Sequence, residues 1–141
     1  MSNRGFALFA AVLWLVAGYS APAVSQDVPS LVGTWISTHH TQSSQGFTTI
    51  EVELVIDEQQ DGLFNGQVSW RLLEIGDSGS EDVLGVIDWD NETVVIVNVN
   101  DTGYIQARLV NDVTMEHVYY ESGANAVVSR GVWQKQLDTQ N

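Results

Sequence analysis

Apolar residues recur at every second position through most of this chain. Ile50, Val52, Leu54 and Ile56 alternate with Glu51, Glu53 and Val55, and Phe64, Gly66, Val68, Trp70 and Leu72 alternate with Asn65, Gln67, Ser69 and Arg71. A period of two sends one set of side chains to each face of an extended strand, whereas an amphipathic helix needs a period of 3.6. The pattern predicts eight strands, over residues 32–38, 48–56, 63–72, 82–89, 92–99, 104–110, 113–120 and 126–136. Turn-forming residues separate them. His39 to Gly46 reads as the longest early loop, Asp57 to Gly62 as a turn and Glu74 to Glu81 as a second loop; the remaining connections are hairpin-sized.

Strands joined by short connections pair in the order in which they occur. The predicted fold class is therefore all-β: an eight-stranded antiparallel up-and-down meander that closes into a barrel and so leaves no free edge. Such a barrel encloses just enough space for side chains or one small ligand. Gly66, inside the third strand, marks a bend or a close backbone approach. Parity leaves the inward face open wherever both faces are apolar, as from Val94 to Val97.

The first 25 residues break this pattern. Arg4 precedes an almost unbroken apolar run from Phe6 to Val16, followed by the small residues of the stretch Ala21 to Ser25. A positive start, a short apolar run and a small-x-small end predict a signal peptide over residues 1–25, and the run is too short to span a bilayer. The expected localisation is secreted or periplasmic. A polar lead over residues 26–30, a barrel domain over 31–136 and a disordered tail over 137–141 complete the predicted organisation.

Charge narrows the partners. The chain holds 18 acidic and 5 basic residues. Removing Arg4 with the signal leaves four basic against eighteen acidic side chains, a formal charge of −14. No nucleic-acid partner is expected, because a phosphate backbone would be repelled and no basic stripe offsets this. No membrane association of the mature form is expected either. Cysteine is absent, so stability must come from the core alone. Outward Val55 and Leu63 would permit a homodimer through the outer face.

Gly33, Thr34 and Trp35 open the first strand of the meander, and Trp133 and Lys135 end the last. This arrangement resembles the calycins, a group that includes lipocalins, fatty-acid-binding proteins and avidins. The resemblance covers the architecture of the mature chain plus one tripeptide. It implies that Gly33 bends the chain into the barrel, and that Trp35 plugs one end beneath a basic side chain of the last strand. Lys135 is the nearer candidate and Arg130 the alternative; either would give a cation–π contact of about 0.5–2 kcal/mol. The avidin pattern is departed from at Ser37, where an amide residue is expected, and at His39 and His40, which replace small hydroxyl residues. The barrel carries over and the avidin ligand site does not. The chain also resembles small periplasmic barrels that inhibit secreted metalloproteases through a short N-terminal trunk, but it lacks their disulfide.

Chemistry is sparsely signalled. His39 and His40 are adjacent, so on a strand they face opposite ways, and no acidic residue sits at ligand spacing from either; no metal site and no cofactor are expected. Both read as solvated loop histidines, and His117 as a residue at the core edge. Glu51 and Glu53 share an outward face. No serine stands in a nucleophile elbow, and no glycine loop precedes a helix. Aromatic residues are the remaining signal. Trp70, Trp89 and Trp133 fall on separate predicted strands, His117 and Tyr119 share one face of the seventh, and these five are the candidate lumen residues. They would line a pocket with a few polar handles, or else fill a closed core, each buried aromatic contributing about 1.5–3 kcal/mol. The leading expectation is a non-enzymatic binding protein for a small, partly apolar ligand in the barrel mouth. The alternatives are a protein-interaction module, such as a secreted-protease inhibitor using the N-terminal lead, and a small barrel isomerase or cyclase.

Overall fold

A computed structural model describes residues 27–137. The predicted signal over residues 1–25, Gln26 of the lead and residues 138–141 of the tail lie outside the described residues. Eight strands follow one another: β1 (Gly33–Ser43), β2 (Gly46–Gln60), β3 (Leu63–Leu72), β4 (Ser78–Ile87), β5 (Thr93–Asn98), β6 (Tyr104–Asn111), β7 (Thr114–Glu121) and β8 (Val127–Lys135). Each pairs antiparallel with the next, and β8 pairs with β1 to close the barrel. Among the described residues there is no helix. The all-β eight-stranded meander is the architecture that the alternation predicts.

Three strands reach into stretches read as loop or turn; β4 begins at Ser78, inside the loop predicted over residues 74–81. β1 continues through His39, His40, Thr41, Gln42 and Ser43, and β2 through Asp57 to Gln60. The stretches read as a loop and a turn are strand because alternation persists in them with polar residues. Ser37, His39 and Thr41 stay buried while Thr38, His40 and Gln42 are exposed. The register shifts between Ile56 and Glu58, at the level of Gly66. A Cβ at Gly66 would lie 2.0 Å from the Val55 carbonyl oxygen, so the missing side chain and the bulge together let β2 and β3 fold tightly around the corner.

The two ends of the barrel are filled differently. At one end Trp35, Phe64, Ile87, Met115 and Trp133 are buried together. The described part of the lead crosses this end. The Leu31 amide donates to Gln59 Oε1 at 2.8 Å, Gln59 Nε2 donates to the Pro29 carbonyl at 2.9 Å, and Trp35 Nε1 donates to the Leu31 carbonyl at 2.8 Å. Lys135 Nζ donates to the Ser30 carbonyl at 3.0 Å and stands 5.4 Å from the centroid of the Trp35 ring. Trp35 and Lys135 are direct partners across β1 and β8, while Arg130 pairs opposite His40. Gly33, at φ 127°, has the Lys135 chain against it. At the other end the inward positions of β1, β2 and β8 carry Thr41, Ser43, Thr48 and Ser129 in place of rings. Strand spacing fixes the barrel's width, so small side chains there leave space that the large rings consume at the closed end.

Candidate functional site

The open end contains a cavity of about 260 Å³. Ile50, Val52, Val68, Trp70 and Leu72 from β2 and β3 form its apolar wall, with Ile105 of β6 and Val127 of β8 closing the circuit. Thr41 and Ser129 face this wall from β1 and β8. Glu81, Asn98, Asp101 and Glu121 line the side built by β4, the β5–β6 connection and the end of β7. Trp70 lies flat over Gly79, where a Cβ would come within 2.6 Å of its ring; that glycine lets the indole lean into the cavity wall.

His39, 2% exposed, forms the floor. Its Nε2 is 2.6 Å from Nε2 of His117, and its Nδ1 is 3.3 Å from Ser129 Oγ. The Nε2 contact needs one ring to donate an N–H and the other to accept with a bare nitrogen. His117 in turn stacks on Trp133, with ring centroids 3.8 Å apart. Gly131 makes this column possible: a Cβ there would sit 2.6 Å from Ser37 Oγ, 2.7 Å from His39 Cδ2 and 3.1 Å from His117 Cε1. Burial holds both imidazoles in the neutral form. It lowers the pKa of His39 to about 4, with His40 adding a smaller push, and that of His117 to about 3, with His39 adding to the effect. At neutral pH the pair is a weak base. What it offers a ligand is hydrogen bonding rather than proton abstraction.

Several polar atoms in and under the cavity have no protein partner: Thr41 Oγ1, Glu81 Oε2 and Asn98 Oδ1 at the lining, and Ser37 Oγ and His117 Nδ1 below it. The Tyr119 hydroxyl donates to Glu121 Oε2 at 3.0 Å. Burial, then the Glu121 contact and the neighbouring Asp101 and Glu81 carboxylates, push the Tyr119 phenol up. Burial, then the Asp101 carboxylate and a side-chain hydrogen bond with it, then Glu121, push the Glu81 carboxyl up as well.

The five candidate lumen residues separate. Trp70 and Tyr119 line the cavity. His117 and Trp133 are buried one layer below it. Trp89 is not in the lumen: it is 99% exposed. β4 ends at Ile87, and Asp88 and Asp90 build a turn in which their carboxylates accept from the Trp89, Glu92 and Thr93 amides. Parity stops carrying information once the strand ends, so the inward assignment of Trp89 fails. His39 corrects the opposite way, from solvated loop residue to buried floor. Thr41, Ser129, Glu81, Asp101 and Glu121 were not among the candidates. For β1 the signal was present: residues 35, 37, 39, 41 and 43 keep one parity, and only their polarity hid the strand.

No protein-family model matches the chain, and no curated protein matches it. Solved structures do. The barrel EF1p2_mFAP2b bound to DFHBI superposes with a TM-score of 0.56 at 16% identity, covering 79% of this chain and 95% of that one. A redesigned β-barrel gives 0.54 at 16% identity, covering 76% and 92%. The redesigned barrel mFAP0, also solved with DFHBI, gives 0.52 at 14% identity, covering 78% and 100%. At these identities the likeness concerns the fold alone: a closed eight-stranded antiparallel barrel.

Proposed function

We propose that this protein is a non-enzymatic binding protein that holds one small, partly apolar ligand in the open end of its barrel, outside the cytoplasm. The cavity of about 260 Å³ carries the reading, because its wall is apolar while buried hydroxyl and amide oxygens stand in it without a protein partner. Small-molecule sites have this composition, a mostly apolar surface with a few polar groups that fix orientation. Leaving such a group without a partner costs about 1–3 kcal/mol, which a ligand can recover. Two barrels of similar fold were solved with the small molecule DFHBI bound, which supports the idea that this architecture accommodates such a guest. The apolar run and small residues within positions 1–25 support export. The volume of about 260 Å³ lies just below the range of ordinary ligand pockets, roughly 300–1,000 Å³, so the ligand is small.

Titration with N-phenyl-1-naphthylamine, a neutral dye that brightens in apolar surroundings, tests this. Saturable one-to-one binding is expected. Val52→Phe, which puts a ring into the cavity from its apolar wall, is expected to abolish it without unfolding the barrel. Absence of saturable binding, or binding indifferent to Val52→Phe, would remove the proposal.

A further inference from the structure

The open end is chemically one-sided. Glu81, Asp101 and Glu121 come from three separate elements and converge on the β4–β7 side of the cavity, around the Tyr119 hydroxyl. No basic side chain among the described residues faces them. Arg71 pairs with Glu51 and Arg108 with Glu116 on the outer surface. Lys135 is at the closed end over Trp35, and Arg130 is exposed on the outside of β8. Carboxylates near one another repel, and partial burial at Glu81 adds a desolvation cost.

The second observation is independent of the carboxylates. Thr41 is only 7% exposed, lines the cavity from the opposite strand, and its Oγ1 has no partner. Buried hydroxyls ordinarily find a partner. On the acidic side, Glu81 Oε2 and Asn98 Oδ1 are likewise enclosed and unpartnered. The cavity therefore presents acceptors at one side, an apolar middle that includes the Trp70 ring, and a hydroxyl at the other.

We infer that the ligand is a small organic ammonium, with its cationic nitrogen set between Glu81, Asn98 and Asp101, its apolar body along Val52, Val68 and Trp70, and a polar inner end at Thr41. This deepens the small-ligand reading and rests on it. An ammonium carries three N–H donors, which suit carboxylate and amide oxygens. Its charge relieves the repulsion among the carboxylates, and the Trp70 ring offers apolar surface to its body. A metal ion fits less well: among the described residues, no three acidic or histidine side chains are arranged to hold one.

Three probes with one body separate the terms: 4-hydroxyphenylethylammonium, 4-hydroxyphenylethanol and 3-(4-hydroxyphenyl)propionate, each competed against the neutral dye. The ammonium is expected to bind at least tenfold tighter than the alcohol, and the carboxylate at least tenfold weaker than the alcohol. Glu81→Gln and, separately, the exposed-loop variant Asp101→Asn should each shrink the advantage of the ammonium over the alcohol severalfold. Thr41→Val should weaken ammonium and alcohol alike. If alcohol and ammonium compete equally, or the carboxylate competes best, the cation inference falls while small-ligand binding stands. If the dye binds and none of the three displaces it, the cation inference also falls. If neither dye nor probes bind, both readings fall together. Calcium chloride raising the melting temperature while the ammonium leaves it unchanged would replace the organic cation with a metal.

Discussion

His39 and His117 meet nitrogen to nitrogen at 2.6 Å in the middle of the barrel, and their burial ties stability to pH. Both rings are neutral when folded, with pKa values lowered to about 4 and about 3 from the ordinary 6.5. Once the chain unfolds, each ring takes a proton as pH falls through about 6.5, whereas the folded rings wait until pH 4 or below. The unfolded state thus binds more protons over that window, so folding stability drops as pH falls and is unaffected by the pair above about pH 7. Each ring contributes about 1.4 kcal/mol per pH unit, which amounts to about 4 kcal/mol for the two between neutrality and pH 5. Urea unfolding at pH 7.5 and pH 5.0 should show a loss of that order. His117→Phe, which keeps a ring against Trp133, should roughly halve the loss; an undiminished slope in that variant would place the titration on other groups.

β1 shows why the fold was more legible than the site. Its outer half, from Trp35 to Ser37, is apolar enough to read as strand, and the count, order and closure of the eight strands followed from such segments. Its inner half has the same alternation written in His39, Thr41 and Ser43, because those positions line a cavity instead of a core. Polarity that signals a loop by composition is here the signature of a cavity lining. Glu81, Asp101 and Glu121 are far apart in sequence and meet only through the pairing of β4 to β7, so no spacing rule could pair them. Trp89 marks the converse limit, a residue misassigned because a turn began two positions early. The lead is an element with its own prediction. Gln59 accepts from the buried Leu31 amide and donates to Pro29 and Asp61 carbonyls. Gln59→Leu strands that amide, and a loss of about 1–3 kcal/mol is expected. Amide hydrogen exchange at Leu31 should accelerate, with dye binding at the far end retained; unchanged protection at Leu31 would show that Trp35 alone holds the strap.

Across the whole molecule, one end is sealed by large rings and a strapped lead, and the other is open, small-chained and acidic. Function is concentrated where packing is incomplete, and the formal charge of −13 over the chain bears on both stability and capture. Like charges spread over the outer strands destabilise the compact state through self-repulsion. Salt screens that repulsion, with a Debye length of about 10 Å at 0.1 M, so raising sodium chloride from 10 to 200 mM should increase the melting temperature. Capture of a cation by the same field should respond with the opposite sign, because screening removes the attraction that draws an ammonium to Glu81 and Asp101. The neutral alcohol probe has no charge to be steered and should keep its affinity. Measured together, a rising melting temperature, a weakening ammonium and a constant alcohol would assign the acidic mouth to capture and the remaining acids to the solvated surface. An ammonium affinity that holds constant over the same range would mean that the carboxylates contribute nothing to binding, and that the apolar wall of β2 and β3 holds the ligand alone.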